Sequence, residues 1–187
     1  CVSDGSSSKF ASPVGFNVAA RPMVLVNGDL NGDSSPDIVT GNTHGKATVL
    51  INAAQSSSLQ FSSITDLTYG SSTDHTHAIH LMDVDGDNDL DLLVGLLQRM
   101  EIFVNDGSGS FTSVGSVPGT SVVGITSGDF DGDNLEDFAF VNGGTDEITI
   151  GINGGGFFPG PVTLDLNLGA GRILAGAAKV MDNADVD

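Results

Sequence analysis

The chain has 187 residues and a formal net charge of −18, from 24 acidic side chains against six Lys and Arg. This charge excludes a nucleic-acid-binding protein and disfavours anionic membranes, because both surfaces attract cationic side chains. No apolar run approaches the ~20 residues that a transmembrane helix needs, so the sequence predicts no membrane-spanning helix.

The first segment in chain order, residues 1–13, is rich in Ser and Gly and is predicted to be a flexible linker. Cys1 is the only cysteine, so no disulfide forms within this chain. Three interpretations of Cys1 stay open. The first is a lipidated N-terminal cysteine, because Cys1 before a Ser/Gly tether resembles the start of a mature bacterial lipoprotein. The second is a half-cystine whose partner lies elsewhere, and the third is a fragment boundary.

Residues 14–187 repeat one unit of short predicted strands. An apolar run follows each of three acidic loops, namely IVTG at 38, LLVG at 92 and FAFV at 138. A second strand comes next in each unit, KATVLIN, MEIFVND or EITIGIN, and ends in Asn or Asn-Asp at a turn. A further strand then opens with Phe61, Phe111 or Phe157. The strand before each loop carries an aliphatic residue four positions ahead of the loop: Leu25, Ile79 and Ile125.

Each unit therefore offers about four strands, separated by clusters of Gly, Asn, Asp and Ser that favour turns. The loops begin at residues 29, 83 and 129, which gives intervals of 54 and 46 residues. Four strands in a repeat of this length are typical of a propeller blade, and a propeller needs about 4 to 8 blades. The sequence predicts an all-β fold of about three blades, each of four antiparallel strands, within a larger propeller.

The last part of the chain offers a fourth loop. ILAGAAKVM at 173 is rich in Ala, but Gly176 interrupts it and its place in the repeat predicts a strand. Asp185 fits position 1 of the fourth loop, whereas a register from Lys179 places Lys179 and Met181 where ligands belong. In either register the sequence stops inside a loop. We therefore expect a fragment whose propeller is completed by further blades of the same chain or by other copies.

The three acidic loops carry the strongest pattern in the chain: DLNGDSSPD at 29–37, DVDGDNDLD at 83–91 and DFDGDNLED at 129–137. Each has Asp or Asn at positions 1, 3, 5 and 9, Gly at position 4 and an apolar residue at position 2. Two carboxylates ~4 Å apart repel by about 4 kcal/mol at an effective dielectric constant near 20. Such a loop is therefore either open to solvent or holds a cation.

Calcium suits this pattern, because it takes about six to eight oxygen ligands from carboxylates, amide and backbone carbonyls, and water. The predicted ligands of about three Ca²⁺ ions are the side chains at positions 1, 3, 5 and 9 and the backbone carbonyl at position 7. These candidate residues are Asp29, Asn31, Asp33, Ser35 and Asp37; Asp83, Asp85, Asp87, Asp89 and Asp91; and Asp129, Asp131, Asp133, Leu135 and Asp137.

The loops match neither an EF-hand nor a glycosidase site. An EF-hand needs Gly at position 6 and Glu at position 12 between helices, whereas position 6 is Ser34, Asn88 or Asn134 and the predicted flanks are strands. The aspartate pairs resemble glycosidase acids, but a carboxylate that holds calcium stays ionised and cannot act as a general acid. A solvated acidic turn remains the alternative to a calcium loop. The recurrence of the same residue types at the same positions in three loops argues against this alternative.

The loops, together with NDGSGSF at 105, resemble FG-GAP/VCBS repeats, the calcium-loop propeller blades of integrin α-subunit heads and of many secreted bacterial and fungal proteins. The resemblance covers residues ~22–187. The sequence departs from the family pattern because it lacks the Gly-Ala-Pro and Phe-Gly elements, and Tyr69-Gly70 is the nearest substitute for Phe-Gly. This departure favours the VCBS-like branch of the family over a true integrin head. The resemblance implies structural calcium, a seven-bladed propeller, a secreted or surface location, and binding through loops on one face.

The histidines in DHTHAIH are a second candidate metal site. His75 and His77 would share one face of a strand, and Asp74 or His80 would have to complete a zinc site. We favour the alternative that these histidines are polar residues between blades and hold no catalytic metal. His44, in the GNTHGK turn, is predicted to face solvent.

Three classes of function remain open. The favoured one is a non-enzymatic extracellular module for adhesion or recognition, with a protein or glycan as partner. The second is a propeller lectin, although the chain has no Trp and one Tyr to offer a sugar. The third is an accessory part of a larger secreted enzyme whose catalytic residues lie elsewhere.

Overall fold

The computed structural model describes residues 12–19, 21–52, 60–145, 147–155 and 162–165. The predictions for Cys1, for most of the linker 1–13, for Phe157 and for the fourth loop at Asp185 lie outside these residues.

The described residues form short strands and contain no helix. Consequently, this part of the chain has no helix that could cross a membrane. The strands are β1 Pro22–Gly28, β2 Asp37–Asn42, β3 Lys46–Asn52, β4 Phe61–Thr68, β5 Ala78–Met82, β6 Asp91–Gly95, β7 Arg99–Asn105, β8 Phe111–Pro118, β9 Val122–Gly128, β10 Asp137–Asn142, β11 Glu147–Gly151 and β12 Val162–Asp165.

The strands form three antiparallel sheets of four, in which consecutive strands are neighbours. Blade 1 contains β1 to β4, blade 2 contains β5 to β8, and blade 3 contains β9 to β12. Phe61 and Phe111 open β4 and β8, as the sequence predicts. The all-β fold with four-stranded blades is thus confirmed, while a closed ring of seven blades stays a prediction.

Blades 1 and 2 pack face to face on one hydrophobic cluster. Side chains alternate between the two faces of a strand, so neighbouring residues contribute to different cores. The fully or nearly buried members of this cluster are Leu30, Val39, Ala47 and Val49 from blade 1, and Leu92, Val94, Leu96 and Phe103 from blade 2.

Blades 2 and 3 share a second cluster, on the opposite face of blade 2. Leu92 and Leu93 are adjacent in β6 and both fully buried, because blade 2 is covered on both faces. Full burial of a Leu or Phe side chain contributes ~1.5–3 kcal/mol, so packing between blades stabilises each sheet. The buried members of the second cluster are Met82, Val84, Leu93, Met100, Ile102, Val117, Val122, Phe138 and Phe140.

The apolar residue at loop position 2 belongs to these cores. Leu30 is 1 % exposed and lies in the cluster between blades 1 and 2, and Val84 is 6 % exposed and lies between blades 2 and 3. Phe130, at the same position in blade 3, is 42 % exposed. The apolar pattern at position 2 therefore reflects packing onto the blade that follows.

Candidate metal centres

Each acidic loop connects the first two strands of its blade: loop 1 (29–37), loop 2 (83–91) and loop 3 (129–137). The glycine at position 4 has a φ of 71° in Gly32, 83° in Gly86 and 84° in Gly132. Glycine adopts this left-handed conformation without the steric cost of a Cβ atom. The residue type at position 4 thus follows from the tight curvature of the loop.

Position 6 is also left-handed, which the sequence pattern alone did not lead us to expect. The φ angles are 67° at Ser34, 71° at Asn88 and 70° at Asn134. Asn tolerates this conformation better than most residues, so its presence in two of the three loops was a usable signal.

The carboxylate at position 1 organises the loop by accepting hydrogen bonds from the backbone. In loop 2, Asp83 Oδ1 accepts from the Gly86 N–H at 2.7 Å and Oδ2 accepts from the Asn88 N–H at 2.9 Å. Asp129 makes the equivalent two bonds in loop 3, and Asp29 accepts the bond from position 6 in loop 1. These bonds fold the chain around the position-1 side chain.

The carboxylate at position 9 ties the loop to the rest of the blade, and it is fully buried in all three loops. Its Oδ2 accepts from the backbone N–H of position 2 at 2.8 Å in loops 1 and 3 and at 2.7 Å in loop 2. Its Oδ1 accepts from the backbone N–H of an Asn at or just after the end of the third strand, at 2.7–2.8 Å. These asparagines are Asn52, Asn105 and Asn153.

Positions 1, 3 and 9 converge in loops 2 and 3. In each of these loops one carboxylate oxygen from each of the three residues lies within 4.8 Å of the other two. The two clusters are Asp83, Asp85 and Asp91, and Asp129, Asp131 and Asp137. A divalent cation among three carboxylates replaces their mutual repulsion with attraction. The residues that the sequence predicted at positions 1, 3 and 9 therefore lie close enough together that they could hold a metal ion.

Loop 1 shares the position-9 bonds and the bond from position 6 to the position-1 carboxylate, but it carries an amide at position 3. Asn31 Oδ1 accepts from the Asp33 N–H at 3.1 Å, and Asn31 Nδ2 donates to Asp33 Oδ2 at 3.3 Å. An amide oxygen also coordinates calcium, but it is neutral, so loop 1 attracts a cation less strongly than the other loops.

Residues 4–94 match the sequence profile of the FG-GAP-like repeat. This part of the chain is an FG-GAP-like repeat region. It includes blade 1, loops 1 and 2, β5 and most of β6. Blade 3 lies outside the match, yet it has the same strand order and the same loop bonds as the FG-GAP-like part. No curated protein matches the chain.

Position 5 of the acidic loops lies outside the two clusters. The position-5 carboxylate accepts a hydrogen bond from the backbone N–H of position 7, at 2.8 Å in Asp33 and 2.9 Å in Asp87 and Asp133. In loops 2 and 3 the structure thus brings the carboxylates at positions 1, 3 and 9 together. The carboxylate at position 5 instead bonds to the backbone of the same turn. Coordination through position 5 and through the position-7 carbonyl stays a prediction.

The asparagine at or just after the end of the third strand also links one blade to the next, a role that the sequence pattern had not indicated. Asn105 Nδ2 donates to the carbonyl of Leu30 at 2.9 Å, and Asn153 Nδ2 donates to the carbonyl of Val84 at 3.0 Å. Both acceptors are position 2 of the preceding loop. A signal was present in the sequence, because this Asn recurs 14–16 residues after position 9 in every repeat.

Burial and mutual repulsion raise the pKa values of several loop carboxyls. Burial raises the pKa of Asp91 to about 6, although hydrogen bonds from the Asn105 and Val84 N–H groups oppose the rise. Desolvation and then the neighbouring Asp87 raise the pKa of Asp85, and desolvation and then Asp133 raise that of Asp131. All three residues belong to the carboxylate clusters. The clusters are therefore electrostatically strained unless a proton or a cation is present.

The histidines have different surroundings in the described part of the chain. His80 Nε2 lies 3.0 Å from Ser127 Oγ, which connects β5 with β9 and agrees with the predicted place between blades. His75 bridges to Thr43 and its ring lies 6.4 Å from that of His44, which is exposed as predicted. The Nδ1 of His77 is buried and has no hydrogen-bond partner among the described residues.

Proposed function

We propose that the chain is a calcium-stabilised module for adhesion or recognition that acts outside the cell and has no enzyme activity. The observation that carries this proposal is the convergence of the carboxylates at positions 1, 3 and 9 on one point in loops 2 and 3. The FG-GAP-like match supports it, because that family's repeats are often found in extracellular adhesion and recognition proteins.

The donor set favours calcium over other divalent metals. The clusters offer only oxygen atoms, which excludes a preference for the softer metals that take thiolate or imidazole ligands. Magnesium demands near-octahedral geometry at ~2.0–2.1 Å and keeps several waters, whereas calcium accepts irregular cages of carboxylate and carbonyl oxygens. A nine-residue loop with ligands from both of its ends suits the larger ion.

The ion has a structural role in this proposal. Position 9 is bonded through both carboxylate oxygens to the backbone of the loop and of the third strand. A cation that binds positions 1, 3 and 9 therefore fixes the first, second and third strands of a blade relative to one another. The loops between strands are then rigid enough to present a binding surface for an extracellular protein or glycan.

The same geometry argues against an acid–base role for the loops. A general acid must exchange its proton near neutral pH, but a carboxylate bound to calcium stays ionised. In position 9 each carboxylate oxygen also accepts a hydrogen bond from a backbone N–H, as in Asp137, and these bonds favour the ionised form of the group.

Isothermal titration of the metal-free protein with CaCl₂ and, separately, with MgCl₂ tests the metal assignment. We expect about three calcium sites, with loop 1 the weakest, and much weaker magnesium binding. Equal affinity for both metals, or heat that disappears at physiological salt, would refute the calcium assignment. Pull-down of extracellular ligands with the calcium-loaded protein, with the metal-free protein as control, then tests recognition.

A further inference from the structure

The buried carboxylates at position 9 are joined to one another by hydrogen bonds that cross from blade to blade. Between loops 2 and 3, the bonds start at Asp91, whose Oδ2 accepts from the Val84 N–H at 2.7 Å. The carbonyl of Val84 accepts from Asn153 Nδ2 at 3.0 Å. The N–H of Asn153 then donates to Asp137 Oδ1 at 2.7 Å. Two residues, Val84 and Asn153, thus connect a carboxylate of loop 2 with a carboxylate of loop 3.

The same connection occurs between loops 1 and 2. The Leu30 N–H donates to Asp37 Oδ2 at 2.8 Å, and the Leu30 carbonyl accepts from Asn105 Nδ2 at 2.9 Å. The N–H of Asn105 donates to Asp91 Oδ1 at 2.8 Å. Asp91 belongs to both connections, so the bonds form one continuous path through three loops, which we call the relay. Its members, in order, are Asp37, Leu30, Asn105, Asp91, Val84, Asn153 and Asp137.

The relay is shielded from water along its whole length. Each of its members is at most 6 % exposed. A buried hydrogen bond is electrostatically stronger than an exposed one, and a buried polar group that loses its partner finds no water to replace it. When one member of the relay moves, its neighbours must therefore move with it or lose a hydrogen bond.

A second contact joins blade 3 to loop 2. Glu136, at position 8 of loop 3, accepts from the Asp83 N–H through Oε2 at 3.2 Å. Asp83 and Asp91 both belong to the carboxylate cluster of loop 2. Residues of blade 3 therefore restrain two members of this cluster, although the bond from Asp83 is exposed to solvent and is the weaker link.

We propose that the cation sites of neighbouring loops are coupled through the relay, so that calcium in loop 3 strengthens calcium binding in loop 2. This inference rests on the proposed calcium sites and adds a form of regulation to them. When a cation holds Asp137 in place, Asn153 and Val84 hold Asp91 where its own cluster needs it. The second ion then binds more tightly, because part of the ordering is already complete. Coupling is reciprocal, so loop 2 strengthens loop 3 by the same factor.

Charge alone predicts the opposite result. Calcium removes two units of negative charge from a loop, so an occupied loop attracts a cation to its neighbour less strongly than an empty loop does. Salt also screens charges on exposed loops, with a Debye length of ~8 Å at ~0.15 M ionic strength. The buried bonds of the relay are screened much less. Positive coupling at this ionic strength therefore points to the relay and not to the loop charges.

The glycine at position 4 gives each cluster its own spectroscopic signal. The Gly86 N–H donates to Asp83 Oδ1 at 2.7 Å, and the Gly132 N–H donates to Asp129 Oδ1 at 2.6 Å. Both acceptors belong to a carboxylate cluster, so these amides should sense a cation in their own loop. Amide NMR of the metal-free chain, titrated with CaCl₂ in about 0.15 M KCl, then measures the two loops separately.

Asp131→Ala tests whether loop 3 acts on loop 2. Asp131 accepts from the Asp133 N–H of its own loop at 3.2 Å and is not a member of the relay, so the substitution disables loop 3 and leaves the relay intact. The Gly132 signal verifies that loop 3 stays empty. The midpoint of the Gly86 signal should rise to at least about fivefold more calcium. Charge predicts a lower midpoint, because the substitution removes one negative unit where calcium removes two. An unchanged or lower midpoint overturns the proposal.

Asn153→Ala tests whether the relay carries the effect. It removes the Nδ2 donor to Val84 and keeps the N–H that donates to Asp137. In this background, adding Asp131→Ala should change the Gly86 midpoint by about twofold or less. Asn105→Ala is the matched control, because it cuts the relay between loops 1 and 2 instead and should leave the effect of Asp131→Ala at about fivefold or more. An effect that is lost in both backgrounds, or in neither, contradicts coupling through the relay.

Thermal melting verifies that each variant is folded. If Asn153→Ala does not fold, the other half of the relay gives the same test. Asp85→Ala should then raise the midpoint at Gly32, position 4 of loop 1, and Asn105→Ala should abolish this rise. Wild-type loops that bind no calcium would overturn both this inference and the proposed function. Loops 2 and 3 that fill independently of each other would overturn the coupling alone.

Discussion

Asn105 Nδ2 donates a 2.9 Å hydrogen bond to the carbonyl of Leu30, which lies 75 residues earlier in the chain. The backbone N–H of the same asparagine bonds Asp91 Oδ1 at 2.8 Å. Asn105 thus connects the acidic loop of its own blade with the loop of the blade before it. The acidic loops and the packing between blades are therefore mechanically coupled.

We predict that Asn105→Ala lowers the free energy of unfolding by roughly 2–4 kcal/mol, because it leaves one buried and two partly buried polar groups without these hydrogen bonds. These groups are the carbonyls of Leu30 and Leu90 and the N–H of Gly109. Asn17→Ala is the control, since Asn17 is exposed and should change stability by less than about 0.5 kcal/mol. Urea unfolding measures both. Equal losses in the two variants would show that the link between blades contributes nothing.

Calcium removal should lower the melting temperature. An ion that binds only the folded loop stabilises it by ~2.7 kcal/mol per site at a hundredfold excess over Kd. Asp85→Ala removes an oxygen from the loop 2 cluster and should weaken calcium binding at that site at least about tenfold. Melting and calorimetric titration, each with and without EDTA, measure these effects.

Asp89→Ala is the matched control for Asp85→Ala. The Asp89 side chain lies close to Gly107 in the turn between β7 and β8. A Cβ atom added to Gly107 would lie only 2.5 Å from Asp89 Oδ2. Position 7 is predicted to coordinate through its backbone carbonyl, which the substitution keeps. Asp89→Ala should therefore bind calcium nearly as well as the wild type. If the two variants lose affinity alike, the loop does not coordinate in the predicted manner.

In EDTA the stability should fall as the pH rises from about 4 to about 6. Burial raises the pKa of Asp91 from 3.8 to about 6, so the folded protein holds a proton in this range that the unfolded chain releases. The protonated carboxyl stabilises the folded protein fully below pH ~4. This stabilisation, on the order of 3 kcal/mol, is lost as the pH rises through the pKa of about 6 that Asp91 has in the folded protein. Calcium should remove this slope, because it stabilises the ionised carboxylate. Unfolding at several pH values, with and without calcium, measures the slope in each state.

The single tyrosine provides an independent pH test. Burial raises the pKa of Tyr69 to about 12, with its hydrogen bond to Thr76 opposing the rise, and its hydroxyl donates to the Lys46 carbonyl at 2.6 Å. The folded chain keeps this proton between pH ~10 and ~12 while the unfolded chain loses it, so stability should decline over that range. Absorbance at the phenolate band should titrate near 12 in the folded protein. A midpoint near 10 before unfolding would contradict the buried position.

Local features of the fold were predictable from the sequence. Strand alternation and turn residues located the strands of blades 1 and 2 and the first three strands of blade 3. The spacing of Asp, Asn and Gly located the loops, because these signals act within about ten residues. The convergence of Asp83, Asp85 and Asp91 followed from the same local spacing. The repeat also revealed the apolar column that includes Leu30, but not the blade that buries it.

Contacts between blades were not predictable in this way. The bonds of Asn105 and Asn153 join residues 75 and 69 positions apart, and an Asn at a turn is more simply explained by local turn chemistry. The neighbouring rings of His44 and His75 likewise depend on how the connection between blades folds back on the β2–β3 turn. The place of Asp87 outside its cluster depends on which way its carboxylate rotates, which spacing alone does not fix.

The bond from Asn105 to Leu30 also has a consequence for the order in which the protein is made. A ribosome adds roughly 5–20 residues per second, so about 4–15 s separate the synthesis of Leu30 from that of its partner. During this delay the Leu30 side chain and carbonyl face water or a chaperone, because the blade that covers them does not yet exist. Each blade is thus completed by the one translated after it, and a translational pause between residues 37 and 105 would prolong the exposure of an unfinished core.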